Sequence, residues 1–197
     1  KINKKGINKI LSSLMTRGCE GYDNFLLSEL FESFGAELNQ DVFEDGISIS
    51  IKSINEHFSK LLPIFDLIIN QPILSETEFQ KVKRYSINLI KKERENPFNI
   101  CFEKWREIVY TNHPYAFNTI GNNNDVSKIS YEDVLSEFKN FEKREKYIIS
   151  NNTGINGENV EKLDIISQIE KSSPLIFDLD PLCRFKSTIN DSNQTII

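Results

Sequence analysis

From residue 7 to residue 141 apolar side chains recur every three or four positions in block after block, and once, over residues 38–51, the period drops to two. That switch constrains the fold more than any other feature. It describes helices and strands interleaved around a mainly antiparallel, hairpin-based sheet, an α+β arrangement with a helical layer on one face.

The blocks have readable ends. Ile7, Ile10, Leu11 and Leu14 predict a helix over 7–16, stopped by Gly18. Leu26, Leu27, Leu30, Phe31 and Phe34 predict a second over 23–34, with Asp23 as its N-cap and Gly35 as the left-handed residue that ends it. A strand over 38–43, a turn at Glu44-Asp45-Gly46, and Ile47, Ile49 and Ile51 alternating with Ser48, Ser50 and Lys52 make a hairpin with one wet face. Helical spacing returns over 54–70, where Pro63 should kink the helix or mark its true start. Ser75 with Glu78 predicts a capping box for a helix to about 95, and Asn96-Pro97 opens another to about 111. A loop over 112–129 leads to Ser130 and Asp133, which cap a helix through about 141. A strand over 146–151, a helix over 157–171, an extended linker over 172–186 and a strand-like 188–197 complete the expectation.

With 197 residues, 39% of them hydrophobic, the chain can bury a sizeable core. A net charge of -5 argues against a nucleic-acid or anionic-membrane partner, since both call for a basic face. The longest apolar run, 64–69, contains Asp66 and falls far short of the roughly 20 residues that cross a bilayer. Cys19, Cys101 and Cys183 are odd in number and lack any CxxC spacing, so they read as reduced, mostly buried thiols, which favours the cytoplasm or another reducing soluble compartment.

Little else offers chemistry. A hydrolytic zinc helix needs two His on one face with a Glu between, but the chain has only His57 and His113, and Ser53 stands four before His57. Each His reads as structural. There is no GxSxG turn, no Cys/His signature and no Gly-rich phosphate loop. The pair Glu44-Asp45 reads as a solvated turn.

The order of features does point somewhere. Residues 6–19, GINKILSSLMTRGC, fall without a gap on the stretch G-x-x-H-x-x-E-H-x-x-x-x-G-T of active zinc peptidases. Phe34-Gly35-Ala36 then leads into a strand holding Asn39 and Gln40, Pro72 into a long helix, and Pro97, His113-Pro114-Tyr115, Gly121 and Ile129-Ser130-Tyr131-Glu132-Asp133 follow in sequence. In this order and spacing, over about residues 6–170, the chain resembles the insulinase/pitrilysin family of zinc metallopeptidases, which includes the mitochondrial processing peptidase.

The resemblance locates a loss. Lys9 and Ser13 take the two His positions and Ser12 that of the Glu. The third ligand, a Glu on the long helix, falls on Leu89 or Ile90, and Glu93 one turn away reads as a solvated charge. Lys9, Ser12 and Ser13 share one helix face, but an ammonium and two hydroxyls cannot replace two imidazoles and a carboxylate on zinc.

What the resemblance implies is therefore a non-catalytic lobe: no catalytic residue and no metal in this chain, with zinc expected in an active partner lobe or subunit. Peptide is the expected substrate of that assembly. Leu38, Asn39, Gln40 and Asp41 are the candidate edge strand to which it would add, and a homodimer is another assembly the resemblance allows. Residues 1–171 would be the first α/β domain of the lobe with its N-terminal strands missing, 172–186 a linker and 187–197 the start of a second, similar domain. The competing reading is a structural scaffold subunit of the core-protein kind, with no part in proteolysis.

Overall fold

A computed structural model of the chain describes residues 4–111 and 113–142. The expected strand at 146–151, the helix at 157–171, the linker, the second domain and Cys183 lie outside the described residues. Within them the order is α1 (Ile7–Met15), α2 (Asn24–Ser33), β1 (Glu37–Phe43), β2 (Gly46–Lys52), α3 (Asn55–Asn70), α4 (Glu76–Glu93), α5 (Pro97–Val109), a 3-10 turn (Pro114–Ala116), α6 (Asn123–Ser127) and α7 (Tyr131–Glu142).

The helix α1 is central, packed by α4, α7 and the hairpin. Its Ile7, Ile10, Leu11, Leu14 and Met15 are buried against Phe79, Val82 and Ile90 of α4 and against Val126, Ile129 and Val134. A second cluster joins Cys19 and α2, through Leu27 and Phe31, to Leu61, Ile64 and Ile68 of α3. Ile49 of β2 packs against both clusters. The two-stranded antiparallel sheet thus sits under the join. Each fully buried Leu or Ile contributes on the order of 1.5–3 kcal/mol, which makes these two clusters the main stabilising term.

Local chemistry sets the element ends. Asp23 accepts from the Leu26 N–H at 2.9 Å, Asn96 from the Phe98 N–H at 3.0 Å, and Ser130 and Asp133 exchange reciprocal bonds at 2.8 and 3.2 Å. Gly35 takes φ 56° after α2, as expected. The capping box at Ser75 and Glu78 does not form. Ser75 stands at the N-cap of α4, yet its hydroxyl pairs with that of Thr77 at 2.7 Å, and Glu78 binds Lys81 at 2.6 Å and Arg17 at 3.0 Å. Two cations outcompete a neutral backbone N–H, and they hold the Glu78 carboxyl below its ordinary pKa, Lys81 foremost.

Three other expectations change. Pro63 does not mark a start, because α3 runs through it from Asn55. The expected loop at 112–129 contains the 3-10 turn and α6, the latter capped by Asn122, whose side chain accepts from the Asp125 N–H at 2.9 Å. Cys19 is buried, and burial pushes its thiol pKa up, but Cys101 is exposed on α5, a helix that places no residue in the core.

Two glycines fix where α1 begins. Gly6 at φ 85° and Gly121 at φ 77° back onto each other: a Cβ on Gly6 would lie 2.7 Å from the Ile120 carbonyl oxygen, and one on Gly121 2.8 Å from that of Lys5. Only glycine permits both the left-handed backbone and this approach.

Candidate functional site

The face of α1 that carries Lys9, Ser12 and Ser13 is partly covered. Strand β1 packs against α1, and burial along it alternates so that Leu38, Gln40 and Val42 are half-buried while Glu37, Asn39, Asp41 and Phe43 are exposed. Gln40 consequently reaches α1. Its Oε1 accepts from the Ser12 hydroxyl at 2.9 Å and from the Lys9 ammonium at 3.3 Å.

Ser12 is completely buried, and its hydroxyl also lies 3.1 Å from the Lys9 carbonyl oxygen, so its single proton can serve either acceptor. Lys9 and Ser13 are half-buried. Lys9 is not left to solvent alone: the hairpin packs beside it, and the Gln40 amide oxygen supplies the partner a half-buried ammonium needs.

Ile90 sits in the core among the α1 side chains, and Leu89 is half-buried. The helix of the third position therefore does pack on α1, but it presents hydrocarbon there. Glu93 is not a free solvated charge, since its side chain and its carbonyl both accept from the Asn99 amide and tie α4 to α5. These residues do not fit zinc. Lys9 would repel the ion, and the hydroxyls and aliphatic groups supply neither imidazole nor carboxylate. Among the described residues no three His, Cys, Asp or Glu side chains come together in a metal-holding group.

Both histidines have structural surroundings. The His57 ring packs on Phe34 at 5.0 Å, and His113 caps the 3-10 turn, its Nδ1 accepting from the Tyr115 N–H at 3.2 Å. The turn Glu44-Asp45 is a correction, because it is anchored: Arg106 of α5 binds Glu44, and the Tyr115 hydroxyl donates to Asp45 at 2.6–2.7 Å. The Asp45 carboxylate pushes the Tyr115 pKa above its ordinary value. Two charges at a hairpin tip read as solvent-facing in sequence because their partners lie far along the chain.

Sequence reasoning placed Gln40 on the edge strand but missed its link to Lys9 and Ser12. The signal was available. Gln40 shares the inward parity of Leu38 and Val42, and an amide on an inward face needs a partner.

No protein-family model matches the chain. It is 23% identical over 133 residues to a curated protein of Rickettsia felis described as an uncharacterized zinc protease, a match covering 68% of this chain and 32% of that protein. Among solved structures it superimposes on a peptidase M16 inactive domain from Pseudomonas fluorescens with a TM-score of 0.63 at 18% identity, covering 68% of this chain and 33% of the other. A protease from Helicobacter pylori gives a TM-score of 0.64 at 20% identity, with 70% and 33% coverage. This is the fold of an insulinase-type M16 lobe.

The family resemblance read from residue order is thereby borne out, and so is the α+β class, as a helix-rich lobe around a small antiparallel sheet. The chain spans about a third of the length of each of these proteins. One of them is named an inactive domain. No described helix is long and apolar enough to cross a membrane.

Proposed function

We propose that this chain is part of a non-catalytic lobe of a metallopeptidase assembly, which helps to enclose a peptide-binding chamber with an active, zinc-bearing partner lobe, fused or separate. The observation that carries the reading is the hydrogen-bonded set of Lys9, Ser12 and Gln40, at the positions where the resemblance puts the zinc-binding helix. A metal-activated water needs deprotonated ligands and an open coordination position. Here an ammonium and a hydroxyl are instead tied to an amide. The contribution left to such a lobe is shape and recognition, with β1 offering backbone groups to an extended peptide.

The test is to purify the full-length protein with and without a candidate zinc-bearing lobe. The protein alone is expected to hold no stoichiometric zinc and to show no chelator-sensitive cleavage, while the assembly binds peptide more tightly than the active lobe alone. Retained zinc or cleavage by the isolated protein would overturn the reading. An assembly whose peptide affinity is the same with or without this chain would leave it only a scaffold role.

A further inference from the structure

The hairpin closes through a two-residue loop, Glu44-Asp45, with Phe43 opposite Gly46. The residues flanking such a loop are the hydrogen-bonded couple, and bonded and non-bonded couples alternate back along the strands. Phe43, Asp41, Asn39 and Glu37 therefore turn their backbone N–H and C=O groups towards β2. Val42, Gln40 and Leu38 turn theirs the other way, to the outer edge of β1, where no further strand pairs among the described residues.

This row is well placed for strand addition. Its three residues are the half-buried ones, and the Gln40 side chain is anchored to α1 through Ser12 and Lys9. An incoming peptide would thus meet a backbone held firmly from behind. Its bonds would go to Leu38, Gln40 and Val42, so that Asn39 and Asp41, the exposed members of the edge, would contribute side chains and not backbone.

One donor in the row is already engaged. The Val42 N–H donates to Asp41 Oδ1 at 2.8 Å. Asp41 is exposed and its own backbone faces β2, so its carboxylate has folded round onto the outer edge. A peptide carbonyl that pairs with Val42 must displace a charged acceptor with a neutral one. Charged side chains at sheet edges are a known device against indiscriminate pairing.

We propose that Asp41 guards this edge and selects among peptides: an extended segment is admitted when it carries Arg or Lys beside Asp41, because the cation draws the carboxylate off the Val42 N–H. The proposal rests on the peptide-binding reading above and deepens it by naming the substrate class. A basic residue on the added strand would sit on the same exposed face as Asp41, where opposite charges on neighbouring strands attract.

Two measurements on the full-length protein, with its active lobe where binding is measured, test it. In the first, NMR follows exchange of the Val42 amide. Asp41→Ala is expected to speed that exchange about three- to tenfold, the loss of one charge-assisted bond, and an unchanged rate would overturn the guard. In the second, fluorescence anisotropy compares two labelled extended decapeptides that differ only in a central Arg or Glu. The native protein is expected to prefer the Arg peptide, while Asp41→Ala binds the Glu peptide about three- to tenfold more tightly than native and loses the preference. If native and Asp41→Ala forms bind both peptides alike, the guard fails and peptide binding stands. If neither form binds any peptide while the Val42 amide responds, the peptide-chamber reading fails and the selectivity falls with it.

Discussion

The helices α1 and α5 have the same kind of sequence and opposite fates. Both are short and amphipathic, yet α1 buries Ile7, Ile10, Leu11, Ser12, Leu14 and Met15, whereas α5 buries nothing. Its Phe98, Phe102 and Trp105 form a ladder with ring centroids 6.1 and 5.4 Å apart, and at 69%, 46% and 47% exposed they meet solvent more than core. Polar contacts anchor α5 instead: Asn99 to Glu93, and Arg106 to Glu44 and, at 3.0 Å, to the Tyr115 carbonyl. Periodicity thus identifies the apolar face of a helix, but whether that face is covered depends on what packs beside it. On α1 the consequence extends to the polar side, where Lys9 and Ser12 are drawn into the packing through Gln40.

The sharpest way to break this comparison is to truncate one side chain on each helix. Leu14→Ala, at a fully buried position, is expected to cost about 2–5 kcal/mol, and Trp105→Ala less than about 1 kcal/mol despite the larger side chain lost. Urea unfolding monitored by circular dichroism measures both. Equal losses would mean that α5 is covered in solution and that the contrast is false.

Next in size is the backbone contact that starts α1. Gly121→Ala combines a left-handed φ with a clash at 2.8 Å against the Lys5 carbonyl oxygen, neither of which a flexible side chain can relieve. We expect a loss of about 1–3 kcal/mol in the same assay. Gly35→Ala, with a φ of 56° but no neighbour within 4 Å, should lose less, and the difference isolates the close approach from the strain.

The polar side of α1 gives a smaller effect. Gln40→Ala leaves the Ser12 hydroxyl with the Lys9 carbonyl as its remaining acceptor and Lys9 without its amide partner, at an expected cost of about 1–2 kcal/mol. A double-mutant cycle with Ser12→Ala should show coupling near half of that, since the two side chains share one bond. Full additivity would mean that Gln40 does not contact Ser12 in solution.

These cases also show what the sequence could and could not display. Asp23, Asn96 and the Ser130/Asp133 pair announce their helices because a cap acts on backbone two or three residues away. The order of elements was legible for the same reason, and with it the helix that carries Lys9, Ser12 and Ser13. Contacts between distant residues were not. Glu78 lies three residues from Ser75 and suggested a box, but Lys81, one turn on, and Arg17, 61 positions away, claim it together. Glu44 and Asp45 looked solvated because Arg106 and Tyr115 come from elements that only the fold brings to the hairpin tip. The site followed the same rule: the helix face and the strand could each be read from spacing, whereas the link of Gln40 to Lys9 and Ser12, 31 and 28 positions away, was signalled only by the inward parity of an amide.

The smallest effect is a pH dependence at the α5 end of the comparison. The Tyr115 pKa is raised above 10.0, chiefly because its hydroxyl donates to the Asp45 carboxylate and secondarily through desolvation and the charges of Asp45 and Glu44. The folded protein therefore holds this proton more tightly than the unfolded chain. Any stability the bond contributes is fully present below the ordinary tyrosine value and is lost as pH rises through the folded one. Asp45→Ala removes the acceptor, so the stability gap between native and variant should be constant near neutrality and narrow above about pH 10. Absorbance titration of the phenols should show one tyrosine moving down towards its ordinary pKa in the variant. The group is at the surface, so solvent screens the interaction and the gap will be small. A gap that stayed constant through the phenol titration would mean that Asp45 and Tyr115 are apart in solution, and that α5 is held to the hairpin by Arg106 and Glu44 without them.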